Sequence, residues 1–174
     1  MSIRETLSSF GIESIYHFTD KANLKSIEKY GIQSLSNIES QSINVFAYGA
    51  ESLSHTLDRR RGLDKFVHLA FVQDHPMYYV AKSRGSIITP VWIELDISIL
   101  FDDNTLFCDQ VANQTGANIF QLDDILDIID LELITNMQYI SGDRWRERKD
   151  ARKAEIMAYD SININKIKGI TYGK

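Results

Sequence analysis

His17, Glu155 and the arginines at 59–61 are the residues of this chain whose type and setting suggest chemistry. His17 stands among Ile15, Tyr16 and Phe18, β-branched or aromatic residues of a short buried strand that would hold one imidazole out for use. Neutral imidazole switches readily between donor and acceptor, and it serves equally well as a strand histidine satisfied by a backbone carbonyl. Glu155 enters the apolar run Ala154–Tyr159, where a carboxylate is costly unless it is paired with a cation or kept for catalysis. Arg59, Arg60 and Arg61 lie in a charged turn, Leu57 to Lys65, which reads either as a solvated surface or as a source of one guanidinium fork for phosphate. His68 interrupts an apolar strand and His75 precedes Pro76; with no acidic partner at a fixed offset, both read as structural or surface residues.

The elements that must position these groups follow from periodicity. After the first strand, Thr19 or Asp20 is a good N-cap, and Leu24, Ile27 and Gly31 describe a short amphipathic helix closed by a glycine. Residues 3–10 form a leading helix ended by Gly11. Ser34 to His55, rich in Ser, Asn and Gln, reads as a long loop able to cover a site, with Phe46 and Tyr48 its residues best suited to stacking. Phe66 to Val72 is a nearly continuous apolar run expected in the middle of a sheet, followed by a helix from Pro76 to about Gly85. Ile87 to Leu95 reads as a strand that Pro90 places at an edge or bulge, and Leu106 to Val111 as a short strand. Gln121 to Asp130 sets Leu122, Ile125, Leu126 and Ile129 on one helical face, with its aspartates turned mostly to solvent.

Composition narrows the function classes. A chain of 174 residues with 44% hydrophobic content suffices for one compact domain spanning 1–174. The single cysteine, Cys108, excludes a disulfide framework or a cysteine-rich metal site, and no ligand spacing suggests a metal. No run reaches signal-peptide or membrane-span length, so a cytoplasmic protein is expected. The net charge of −5 argues against indiscriminate coating of nucleic acid. A local exception is the stretch 143–153, DRWRERKDARK, with six basic and three acidic residues around Trp145, running directly into Glu155.

Three stretches together resemble a known family: YHFTDKANLKSI, VHLAF followed by HPMYYVAKSRG, and RKAEIMAYDSI. They are similar to the DarT family (DUF4433-type) of DNA ADP-ribosyltransferase toxins, within the histidine-type, PARP-like and diphtheria-toxin-like branch of the ADP-ribosyltransferase fold. The resemblance implies an α+β fold with central split, mixed or antiparallel β-sheets flanked by helices. It implies NAD as ADP-ribose donor, His17 as a ligand of the NAD ribose, and Glu155 as the catalytic carboxylate. Thr19, Asn23 and Gly31 match the first motif and, with Phe18, are expected to bind the cofactor, and one arginine of the triplet, taken as Arg60, would join the catalytic site by supporting the phosphates or the target. Many relatives place a stacking tyrosine in the central strand where this chain has Ala70 and Phe71, which leaves Phe71 and Tyr79 as alternatives for packing on nicotinamide.

On this reading the glutamate stabilises an oxocarbenium-like ribose and takes the proton of an attacking base nitrogen, without a metal. A base acceptor must be unstacked, so single-stranded DNA is the least costly substrate, with RNA or protein as alternatives. Arg144, Trp145, Arg146, Arg148, Lys149 and Arg152 supply stacking and phosphate contacts for such a strand. A catalytically silent nucleotide-binding module is the reading from another class. A DNA-modifying toxin further implies an antitoxin, in that family a macrodomain protein that removes ADP-ribose.

Overall fold

The computed structural model describes residues 2–47 and 52–173. In chain order these form α1 (Ile3–Ser9), β1 (Ser14–Asp20), α2 (Leu24–Tyr30), β2 (Ile32–Gln33), α3 (Leu35–Ser40), α4 (Ser52–Arg61), β3 (Phe66–Leu69), α5 (Pro76–Ser83), β4 (Pro90–Asp96) and β5 (Leu106–Cys108). There follow β6 (Ile119–Phe120), α6 (Ile125–Ile128), α7 (Leu131–Thr135), α8 (Gly142–Ala151), β7 (Glu155–Tyr159), β8 (Ser161–Ile162) and β9 (Ile167–Tyr172). The α+β class expected from the sequence is the one found, with antiparallel pairings throughout the described strands.

The strands fall into two main sheets and one small ribbon. The first sheet has the order β1-β4-β9, the second β3-β7-β5-β6, and β2 pairs with β8. Between the two main sheets the described pairing is an isolated bridge, Tyr16 with Ala70, closed by N–H to O bonds of 2.9 and 2.8 Å. This join sits one residue from His17 and one from Leu69, so the split between the sheets opens beside the histidine. The main core is continuous across both sheets: Ile15, Ile93 and Leu95 from the first meet Leu69, Phe107 and Ile156 from the second. Burying such side chains contributes about 1.5–3 kcal/mol each.

Several local expectations need correction. Phe66–Leu69 is an edge strand of its sheet, because only β7 pairs along it; Val67 and Leu69 are buried while Phe66 and His68 face the half-open side. Conversely β4 is the middle strand of its sheet, with Pro90 at its first position, where no ladder N–H is needed. The stretch 34–55 is not one loop: the Ser34 hydroxyl accepts the Asn37 N–H at 3.3 Å and starts α3, and α4 begins at Ser52. The charged turn at 57–65 is the last part of α4 plus a 3-10 turn at Leu63–Lys65. The acidic segment is broken as well. Asp130 leaves the helical run to cap α7 through the Leu133 N–H at 2.8 Å, and Leu126 is exposed.

Gly31 illustrates how the first motif is locked. It ends α2 at φ 74°, and a Cβ there would stand 2.3 Å from the Ile162 carbonyl oxygen of β8. Only glycine permits both the left-handed turn and this backbone approach.

Candidate active site

His17 and Glu155, 138 positions apart in sequence, line the same cleft, together with Phe18, Thr19, Gly31, Phe66, His68 and Met77, in a cavity of about 240 Å³. Their connection runs through a third histidine. His17 Nδ1 donates to the His68 carbonyl at 3.1 Å, and His68 Nδ1 lies 2.9 Å from Glu155 Oε2. The latter contact follows from register: His68 pairs with Met157 across β3 and β7, so Glu155 is the diagonal neighbour on the same face. Glu155 Oε2 also accepts the Ala112 N–H at 3.2 Å, and Oε1 faces His75 Nε2 at 3.9 Å.

The hydrogen bonds assign the protonation of each ring. His17 uses Nδ1–H for the His68 carbonyl, which leaves Nε2 as an acceptor; burial pushes this imidazole down to about 4, so it stays neutral at physiological pH. His75 caps α5, its Nδ1 accepting the Met77 N–H at 3.2 Å, so its proton sits on Nε2. That nitrogen points toward the Lys153 carbonyl at 3.4 Å, and burial lowers the ring's affinity for a second proton. His68 differs from both: its two nitrogens face acceptors, Glu155 and, at 3.4 Å, the Leu63 carbonyl. Burial opposes its charge, but the bond to Glu155, the charges of Glu155 and Asp58, and the Leu63 carbonyl raise it to about 9. Burial likewise opposes ionisation of Glu155, and the His68 bond and charge outweigh it, holding the carboxyl below its ordinary range. The glutamate is therefore a buried, anchored carboxylate.

Other residues singled out from the sequence hold the cleft rather than lying open in it. The Asn23 amide donates to Thr19 Oγ1 at 3.0 Å and to the Ala47 carbonyl at 2.6 Å, and its oxygen accepts the N–H groups of Phe46 and Ala47 at 3.0 and 3.2 Å. It thus fastens the segment before residue 48 over the cleft. Phe18 lines the cleft with its ring packed near His75, Tyr78 and Trp92, at centroid distances of 6.2, 5.8 and 5.4 Å. Phe71, 3% exposed, belongs to the main core, and Tyr79 lies on a separate groove between α5 and α8, hydrogen-bonded to Asp74. Neither ring borders the His17–Glu155 cleft, whereas Phe66 and Met77 do. Phe46 is exposed, and Tyr48 lies outside the described residues.

The arginine triplet divides three ways. Arg59 pairs with Glu39, and Arg60 is exposed on the last turn of α4, off the cleft lining. Arg61 donates to the Ala112 and Gln114 carbonyls at 3.2 and 2.6 Å, so it steadies the loop whose Ala112 N–H holds Glu155.

On α8, Trp145 is half exposed with Lys149 over its ring at 5.3 Å. Arg144 and Arg146 pair within the helix with Glu147 and Asp143, at 3.5 and 2.9 Å. Arg148 reaches the Asn136 and Gln138 carbonyls. Arg152 departs most from the expectation of a strand contact: it is 7% exposed and bound to Asp74 and to the Ile134 and Asn136 carbonyls. A guanidinium so occupied anchors the chain before Glu155. Cys108 is fully buried, and burial pushes its thiol up to about 11, consistent with an inert role. Among the described residues no helix is long and apolar enough to cross a membrane, and no group of three or more His, Cys, Asp or Glu is arranged to hold a metal ion.

The roles of His68 and His75 were missed in the sequence because their partner is far along the chain. The available signal was the alternation in Phe66–Leu69, which turns His68 away from the core face once an acidic neighbour strand is allowed.

The same arrangement of sheets occurs in known structures. Thermosipho africanus DarTG in complex with ADP-ribose superposes with a TM-score of 0.75 at 22% identity, over 93% of this chain and 44% of that one. Thermus sp. 2.9 DarT in complex with ADP-ribosylated ssDNA gives 0.71 at 19% identity, over 94% and 83%, and the same protein with NAD+ gives 0.66 at 18%. The fold is thus that of DarT ADP-ribosyltransferases. At the level of sequence, the family described as "DarT: ssDNA thymidine ADP-ribosyltransferase" matches residues 16–174, and the chain belongs to that family. A DNA ADP-ribosyl transferase–DNA ADP-ribosyl glycohydrolase fusion protein of Thermosipho africanus (strain H17ap60334) is 30% identical over 155 residues, 83% of this chain. The chain spans 37% of that relative's length.

Proposed function

We propose that this chain transfers ADP-ribose from NAD to a thymidine base of single-stranded DNA, acting in the cytoplasm as the toxin of a toxin–antitoxin pair. The observation that carries the reading is the meeting of His17 and Glu155 in one cleft, linked through His68. Family membership supports the choice of DNA and of thymidine over RNA or protein.

His17 Nε2, a neutral acceptor, suits a ribose hydroxyl of the donor. Glu155 supplies a fixed negative charge where the ribose gains cationic character as the nicotinamide bond breaks, and electrostatic preorganisation of this kind needs no reorganisation during the step. The attacking base nitrogen loses a proton, for which the Glu155 carboxylate is the acceptor at hand. Trp145, Lys149 and Tyr79 border the α5–α8 groove and suit a strand that stacks bases on aromatic rings. A partner that removes ADP-ribose, of the macrodomain type, follows from the hazard of the activity, and the glycohydrolase half of the Thermosipho relative supports it.

The test is incubation with NAD and separate thymidine-containing and thymidine-free oligonucleotides, single- and double-stranded, read by mass spectrometry. An ADP-ribose adduct confined to thymidine-containing single strands is expected. Adducts on RNA or protein in place of DNA would move the assignment to those acceptors, and NAD binding without nicotinamide release on any polymer would make the chain a silent binder.

A further inference from the structure

We infer that His68 is a positioning residue for Glu155, its ring bridging the Leu63 carbonyl and Oε2 so that Oε1 is the oxygen presented to the donor. The inference rests on the transferase reading above. It begins with the unequal surroundings of the two carboxylate oxygens. Oε2 is held by two close donors, His68 Nδ1 at 2.9 Å and the Ala112 N–H at 3.2 Å, while the nearest histidine nitrogen to Oε1 is His75 Nε2 at 3.9 Å. His75 cannot take over the anchoring, since its Nδ1 is fixed as the acceptor of the Met77 N–H and its Nε2–H is shared with the Lys153 carbonyl.

His68 is also placed to couple the two halves of the site. Its backbone carbonyl holds His17, and its side chain holds Glu155, so one residue of the edge strand β3 fixes both groups. The groups facing the pair are His17 from β1, Asp58 from α4, His75 at the start of α5, Cys108 from β5 and the Ala112 N–H before β6. Asp58 and Glu155 favour the charged ring, and His17 and His75 stay neutral beside it. The ring is thus cationic at neutral pH and loses its second proton as pH rises through about 9. Above that pH one ring nitrogen no longer donates, and the hold on Oε2 or on Leu63 is lost.

The experiment combines kinetics with nitrogen-15 spectra of the histidine rings. For His68→Ala, transfer to a thymidine-containing single strand is expected to fall about 100-fold in kcat, with KM for NAD within about threefold, as for a misplaced but otherwise intact group. His68→Gln, which keeps one donor and does not titrate, is expected to restore about tenfold of that loss and to abolish the decline in kcat near pH 9. In the spectra His68 shows two protonated nitrogens at neutral pH, and Glu155→Gln moves its titration down toward 6.5. The proposal is overturned by a His68 that titrates near 6.5 in the wild-type protein, or by a His68→Gln profile that matches the wild type. Because the spectra are recorded without substrate, they decide the pairing even if no polymer is modified, which would instead count against the transferase reading.

Discussion

The cleft and the α8 face both carry charged side chains, yet they use them in opposite ways. In the cleft, each important group is tied to a residue distant in sequence: Glu155 to His68 and Ala112, Asn23 to Phe46 and Ala47. On α8, Arg144 and Arg146 are paired with acids three residues away on the same helix, in water. Long-range ties in a buried setting fix geometry and shift protonation, whereas exposed pairs of the second kind contribute about 0–1 kcal/mol and are screened by salt. The difference teaches that the chemistry is preorganised while the face beside it remains adaptable.

Glu155→Gln breaks the comparison most sharply, with transfer expected to fall about 1,000-fold in a single-turnover assay. With its carboxylate partner gone, the buried His68 gives up its second proton, and the same change lowers the thermal midpoint at neutral pH by removing the stabilising pair. Next, Gly31→Ala forces a Cβ against the Ile162 carbonyl in a left-handed turn, and chemical denaturation should show a loss of about 2–4 kcal/mol. Asn23→Ala removes four hydrogen bonds at one buried amide, so a loss of about 1–3 kcal/mol is expected, with faster hydrogen exchange at Phe46 and Ala47. Smallest is Arg144→Ala/Arg146→Ala: with both cations paired in the helix, stability should move by less than about 0.5 kcal/mol. A loss of target affinity in that variant that vanishes at high salt would sharpen the picture, assigning these side chains to phosphate contacts in spite of their pairing.

Much of the site was legible in the sequence because it depends on local pattern. The strand–helix–glycine unit around His17 carries its own caps and periodicity, and Glu155 was conspicuous as an acid in an apolar strand. What resisted reading was contact across the sheet. The edge position of Phe66–Leu69 and the central position of Pro90–Asp96 are set by which strands meet, and the His68–Glu155 pair depends on that same register. Composition also misled at the basic run, where six cations suggested a uniform binding face. Arg152 is in fact buried on Asp74, and its guanidinium fork ties down the backbone at Ile134 and Asn136.

One tie spans the cleft's two functions. Arg61, at the end of the helix whose Asp58 borders the cavity, grips the carbonyls of Ala112 and Gln114, and Ala112 in turn grips the glutamate. The orientation of the acid is thereby tied to the placement of a helix nearly one hundred positions earlier in the chain, through two hydrogen-bonded links.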